Sequence, residues 1–259
     1  MPLDRPAMQP VGAVTDLKAS GLAKSFGKAA PVFSGLDFTI HKGDCVALVG
    51  ANGTGKSTLL RCCLGLILPD GGTVELLGRD MTAIGAADRR RLRARTGLVG
   101  QKHNLVPRLS VLSNVIHGLL GAHSGPRYWV QGLAPPEARR AAMAALDKVG
   151  LADLALRRAD QLSGGQSQRV AIARALVCDP AFLVADEPCA SLDPQAGEEV
   201  MALFIRLVKR EGVTVVFTSH NVQHALSYGD RILGLQGGRL AIDAPARDVS
   251  AQDMARLYV

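Results

Sequence analysis

The chain has 259 residues, 47% of them hydrophobic and 20% charged, with a net charge of +7. That length and composition suffice for a sizeable core in one large domain and exclude a disordered or collagen-like chain. The positive balance permits a polyanion or a membrane surface as partner. No apolar run approaches the ~18 residues of a membrane span.

Residues 1–13 hold three prolines and little periodicity, and are read as a loose leader rather than a targeting signal, because an apolar h-region is missing. The domain is expected over 14–259. Leu36, Phe38 and Ile40 alternate, predicting a half-buried strand. His41-Lys42-Gly43-Asp44 then turns, and Cys45–Val49 (CVALV) reads as a strand buried on both faces. A glycine-rich loop follows at once. The apolar run from Ser57 to Leu68 predicts a buried helix ended by Pro69-Asp70-Gly71-Gly72, with another strand over TVELLG. Arg89–Arg95 (RRRLRAR) is read as a solvated helix face. No aromatic residues interleave with these arginines, so nucleic acid is not expected as a partner.

From about Pro107 to Asp160 the chain turns rich in alanine, leucine and arginine, and a helical subdomain inserted into the α/β part is expected there. Pro135–Leu151 carries a proline and an acid at its start and Gly150 near its end, the start and stop signals of a helix. The preceding loop holds the single tryptophan, Trp129, expected to pack against its own helices, with contact to a partner as the alternative. Beyond it a helix through Val177, the strand AFLVAD, a helix near Pro194–Arg210 and the strand TVVFTSH alternate. This is the mark of a mostly parallel sheet covered by helices. The closing run RILGLQGGRLAID predicts a hairpin about Gln-Gly-Gly. Of the five cysteines, none has C-x-x-C spacing. Cys45 and Cys62 are expected in the core, and the odd count fits a reducing compartment.

Three segments carry chemistry. Gly50–Thr58 (GANGTGKST) fits G-x-x-x-x-G-K-[ST] between a strand and a helix, as that motif requires. Gly50, Gly53 and Gly55 free the backbone of Asn52 and Thr54 to wrap a pyrophosphate. Lys56 supplies a point charge to the outer phosphates, and Ser57 a hydroxyl for Mg²⁺. The strand AFLVAD delivers Asp186 and Glu187 to the edge where α/β sheets bind ligands. Asp186 suits Mg²⁺ or its bound water, and Glu187 suits orienting and deprotonating an attacking water. Leu162-Ser163-Gly164-Gly165-Gln166 opens a helix with free N–H groups, a second anion site far along the chain from the first. His220 ends another strand. His224, one helical turn on, makes a spacing that can bind metal, with no third ligand evident.

The phosphate loop, Gln101 after TGLVG, LSGGQ, VADEP, SLD and His220, in this order, resemble the ATP-binding cassette family from about Asp16 to the end. The resemblance implies a P-loop NTPase with a RecA-like, mostly parallel core, an N-terminal antiparallel β part and a helical subdomain over about 107–165. It implies ATP and Mg²⁺ as cofactors, with Phe26 stacking on adenine and Gln101 reaching Mg²⁺ and the attacking water. It also implies that Ser191-Leu192-Asp193 crosses a dimer interface, that His220 lies near the γ-phosphate, and that two cassettes pair head to tail. Ser163, Gly164, Gly165 and Gln166 then face the partner's nucleotide, so each ATP would lie between two loops remote in sequence.

Family members that repair DNA or organise chromosomes carry coiled coils or zinc modules, and those of translation usually carry two phosphate loops. This chain has neither pattern, which favours a transport ATPase working with separate permease subunits, with a non-transport ATPase of DNA repair or translation as the alternative. The segment RTGLVGQKHNLVPRLSVLSNVIHG, the tryptophan loop, RADQLSGGQSQRVAIARAL, ADEPCASLDP and MARLYV are similar to the ATPase of phosphonate importers. Gly100 and His103 stand where that group carries aromatics, and Ser167 where it carries glutamine. Phosphate, phosphite, polar amino acids and metals are the alternative cargoes. The resemblance implies a homodimer at the cytoplasmic face of the inner membrane, with permeases and a periplasmic or extracellular solute-binding protein.

Overall fold

The computed structural model describes residues 14–27, 30–101, 103–123 and 125–258. The leader expected over 1–13 lies outside the described residues. In chain order the elements begin β1 (Thr15–Lys24), β2 (Phe33–His41), β3 (Cys45–Val49), α1 (Lys56–Cys63), β4 (Gly71–Leu76), β5 (Arg79–Asp80), α2 (Ala86–Arg93) and β6 (Thr96–Val99). The helical stretch holds α3 (Val111–Ile116), α4 (Pro136–Lys148) and several 3₁₀ turns, and leads into α5 (Gly164–Leu176). The rest is β7 (Phe182–Ala185), α6 (Pro194–Glu211), β8 (Thr214–Thr218), α7 (Val222–Tyr228), β9 (Arg231–Gln236), β10 (Arg239–Pro245) and α8 (Ala251–Arg256).

Two sheets result. The first, β2-β1-β4-β5, is antiparallel. The second runs β10-β9-β3-β8-β7-β6, parallel except for the β9–β10 hairpin. β3, β7 and β8 are buried at every position, as strands covered on both faces must be. Their alternate residues serve two cores. Cys45, Ala47 and Val49 join a core with α3–α6, while Val46 and Leu48 join one with α1 and the antiparallel sheet. Cys45, Cys62 and Cys63 are buried, and burial pushes the Cys45 thiol up to about 12.

β1 lacks a clean two-residue period because Gly21, at φ 58°, interrupts its register between Ala19 and Leu22. The helix expected over Ser57–Leu68 stops at Cys63. Gly65 takes the left-handed conformation just past its end, and the Gly65 and Leu66 amides donate to Cys62 O and Arg61 O, which leaves Leu66 and Leu68 exposed. α4 forms inside the expected Pro135–Leu151 stretch but spans Pro136–Lys148, with Pro136 in its first turn and Gly150 at φ 69° beyond its end. The arginine run is only partly a solvated face. Leu92 is buried, Arg89 donates to Met81 O and Ile84 O, and Arg93 donates to Gly65 O. Trp129 does not pack inside its subdomain. It stands 59% exposed, held through its own carbonyl by His117 Nε2 at 2.7 Å.

Candidate active site

The phosphate loop joins β3 to α1, the strand–loop–helix placement that its pattern predicts. Gly50 and Gly55 are required there. Gly50 has φ 145°, and a Cβ on it would lie 2.2 Å from Leu235 O. Gly55 has φ 99°, and its Cβ would lie 2.5 Å from Val32 Cγ1. Gly55 is also the N-cap of α1 and offers no side-chain cap, so the first amides of that helix are free for an anion. Lys56 is buried, and its Nζ donates to Gly50 O at 2.8 Å and Ala51 O at 3.0 Å. Burial pushes its pKa down, while Glu187 and Asp186 hold it up. Two of its three N–H donors go to neutral carbonyls, and the residues present fit a phosphate on the third. Ser57 and Thr58 follow on the first turn of α1, and Asn52 and Gly53 form the exposed crest of the loop. The Thr54 hydroxyl donates to Ala51 O.

Across the sheet, β7 is followed at once by Asp186 and Glu187. The buried Thr218, at the end of the neighbouring β8, organises both. Its hydroxyl donates to Asp186 Oδ1 at 2.8 Å and accepts from the Glu187 amide at 2.8 Å. Glu187 takes φ 51°, a left-handed backbone that few non-glycine residues adopt. His220 Nε2 meets Glu187 Oε1. The metal pairing considered for His220 and His224 does not form, since His224 Nε2 turns to Glu198 Oε2 at 2.9 Å. The carboxylate of Asp186 and the hydroxyl of Ser57 are oxygen donors of the kind that suits Mg²⁺.

Ser163 is the N-cap of α5 in a capping box. Its Oγ accepts from the Gln166 amide at 3.3 Å, and its own amide donates to Gln166 Oε1 at 3.0 Å. Both side chains serve the helix as acceptors, which leaves the Ser163 hydroxyl hydrogen and the Gln166 Nε2 hydrogens, beside backbone amides, as donors of this loop. Ser163–Gln166 and Ser191–Asp193 together line an open cleft of about 510 Å³, to which no residue of Gly50–Thr58 contributes. Asp193 caps α6 by accepting from the Ala196 amide at 3.0 Å.

The family model described as "ABC transporter" matches residues 33–190. Over 93% of the chain, 47% of residues are identical to a "Phosphonates import ATP-binding protein" of Pseudomonas savastanoi pv. phaseolicola, across 88% of that relative. A "Phosphate-import ATP-binding protein" of Mycolicibacterium smegmatis is 46% identical over 93% of the chain and 90% of its own length. This chain belongs to the ABC transporter family. Among solved structures, a dimeric ATP-binding cassette in a post-hydrolysis state, bound to ADP and Pi, superposes with a TM-score of 0.77. It is 31% identical and covers 89% of this chain and 99% of its own. A cassette of an ABC transporter complex from Clostridium perfringens gives 0.81 at 27% identity, covering 94% of each chain. The fold is thus that of an ABC ATPase cassette, with its mixed, mostly parallel sheet.

In this cassette Phe26 is half exposed, with Lys24 Nζ 5.5 Å from its ring centre. Asp70 accepts from Lys24 Nζ and from the Ser25 amide, both at 2.7 Å, and so anchors the backbone just before Phe26. These bonds hold its carboxyl below the usual range, the Lys24 contact foremost. Gln101 is exposed, two residues past the end of β6. The segment after it is pinned from two sides. The fully buried Asn114 accepts from the Val106 amide at 2.7 Å, and Arg174 donates to His103 O and Asn104 O, both at 2.7 Å. Sequence reasoning missed Asp70, Asn114, Arg174 and Thr218. Only Asn114 carried a signal: an amide among Val111, Leu112, Val115 and Ile116, on a helix otherwise apolar enough to be buried.

Proposed function

We propose that this cassette is the ATP-hydrolysing subunit of an importer for phosphonates. Its identity to proteins named for phosphonate import, running through 93% of the chain, carries the reading. One relative at 46% is named for phosphate import, so phosphate is the second reading of the cargo. Gly50, Asn52, Gly53, Thr54, Gly55, Lys56, Ser57 and Thr58 hold the nucleotide phosphates through backbone amides and the Lys56 ammonium, and Phe26 stacks on the base. Ser57, Asp186 and Gln101 would hold Mg²⁺, which when bound offsets the charge of the phosphate oxygens. Glu187 accepts a proton from the attacking water, and His220, in contact with it, faces the γ-phosphate.

A second copy supplies Ser163, Gly164, Gly165, Gln166 and Asp193 to each nucleotide, so that ATP joins the two cassettes and hydrolysis frees them. No helix among the described residues is long and apolar enough to cross a membrane. The cassette works at the cytoplasmic face of the inner membrane on separate permease subunits, with an outer solute-binding protein delivering the cargo. The region after Gln101, joined to the helical subdomain (about 107–165), meets the permease. Residues 14–259 act as one ATPase domain.

Glu187→Gln separates binding from chemistry. It should retain ATP, accumulate as a dimer on a sizing column, and lose a general-base contribution of about 10²–10⁴ in rate. Hydrolysis near the wild-type rate would move the base elsewhere. A deletion strain tested on a phosphonate and on phosphate as the phosphorus source distinguishes the cargoes. Loss of growth on phosphonate alone supports the first reading, and loss on limiting phosphate alone the second.

A further inference from the structure

α7 has only seven residues, too few to be stable on its own. Ala225 is its one fully buried residue, with Val222, Leu226 and Tyr228 partly covered. Polar ties therefore matter to where it sits. Its N-cap, Asn221, accepts from the Gln223 and His224 amides, and at its far end Tyr228 O accepts from Cys45 Sγ at 3.2 Å.

Two side chains of α7, four residues apart and so on one face, converge on one carboxylate of α6. His224 Nε2 lies 2.9 Å from Glu198 Oε2, and the Tyr228 hydroxyl donates to Glu198 Oε1. Each carboxylate oxygen is used once. The two rings meet edge to face with centroids 5.9 Å apart, and the His224 side chain is only 12% exposed. The bond from Tyr228, then the His224 charge, holds the Glu198 carboxyl below its ordinary range. Burial, then Glu198, pushes the Tyr228 phenol up to about 12.

This carboxylate joins two functional segments. Glu198 lies in the first turns of α6, five residues after Asp193 in the loop read as facing the partner. His224 lies one turn after His220. A cavity of about 480 Å³ between the two helices is lined by Glu187, Asp193, Glu198, His220 and His224 among others. We propose that Glu198, His224 and Tyr228 form a positioning clamp that ties the partner-facing loop to α7 and thereby holds His220 against Glu187. The inference rests on the reading of His220 and of Ser191–Asp193 given above. The three are positioning residues, since His224 and Tyr228 bond to Glu198 and not to Glu187 or His220. Glu198 is more than half exposed, which limits such a tie to about a threefold to fivefold effect on rate.

Steady-state hydrolysis by the full chain tests this, with ATP affinity measured in parallel. His224→Ala and Glu198→Ala should each lower kcat about threefold to fivefold, with KM and the nucleotide Kd within twofold of wild type. The double variant should be no slower than Glu198→Ala alone, because one clamp is lost only once. His224→Gln, whose amide can still donate to the carboxylate, should recover most of the rate. Tyr228→Phe keeps the ring and its packing, and serves where an alanine variant fails to fold. It should also lose kcat rather than affinity. Unchanged kcat in these variants, additive losses in the double variant, or a rise in KM in place of the kcat loss would overturn the clamp. His220→Ala is the control. Loss of activity there with none in His224→Ala defeats the clamp alone. Full activity in His220→Ala defeats the reading beneath it.

Discussion

Lys56 and Thr218 illustrate two ways in which one residue serves the site. Lys56 is a buried cation held by loop carbonyls, and its burial is offset once a phosphate arrives. Mg-ATP at about 100 times Kd should stabilise the chain by about 2.7 kcal/mol, a rise in Tm of roughly 5–11 °C for a chain of this size. Lys56→Ala should remove most of that rise. A wild-type melting curve indifferent to millimolar Mg-ATP would defeat the nucleotide assignment. Thr218 sets the backbone of Glu187 and the carboxylate of Asp186 through one hydroxyl. Thr218→Val keeps the shape but leaves the part-buried Glu187 amide without its acceptor, and should cost about 1–3 kcal/mol in denaturant unfolding. Thr218→Ser should restore both stability and kcat. Equal stability of the Val and Thr forms would show that the hydroxyl is not needed.

At the scale of elements, α5 shows that a helix start can be complete within the chain and still await something outside it. Its capping box uses the Ser163 and Gln166 side chains on the helix itself. Gly165 is not needed for folding. Its backbone is not left-handed, and a Cβ there would approach Ala196 Cβ no closer than 4.0 Å. Gly165→Asp should therefore fold, with Tm within about 2–4 °C of wild type, a change of no more than ~1 kcal/mol. It should bind ATP at its own phosphate loop and lose hydrolysis, because a carboxylate now repels the partner's γ-phosphate. Wild-type turnover by Gly165→Asp would rule the signature loop out of the site. Gly50 is the opposite case. There the close approach of Leu235 O forbids a Cβ within the chain itself.

For the whole molecule the decisive property is that a cleft lined by Ser163–Gln166 and Ser191–Asp193 lies open and receives nothing from the chain's own phosphate loop. Mixing Lys56→Ala with Gly165→Asp tests the head-to-tail pair. In a mixed dimer one site carries both lesions and the other carries none, so the mixture should regain ATPase activity that neither variant has alone. If the loops instead work within one chain, every site keeps one lesion and the mixture stays inactive.

The chemistry-bearing segments were legible in the sequence because each is contiguous and locally constrained. Gly50–Thr58 needs glycines at fixed offsets, AFLVADE is a buried run ending in two acids, and LSGGQ opens a helix with its own cap. The alternation of strands and helices likewise announced a parallel sheet, since β3, β7 and β8 are apolar at nearly every position. What the tertiary structure alone decided are partnerships across long stretches of chain. Thr218 serves Asp186 from 32 residues away, Arg174 serves Asn104 from 70, and Glu198 receives Tyr228 from 30. Trp129 belongs with these, because a bulky apolar residue in a loop carries no period to say which way it faces, and here it faces outward. A hydrogen-bond partner or an exposed face depends on the path of the backbone between elements, and local propensity and hydrophobic period carry no record of that path.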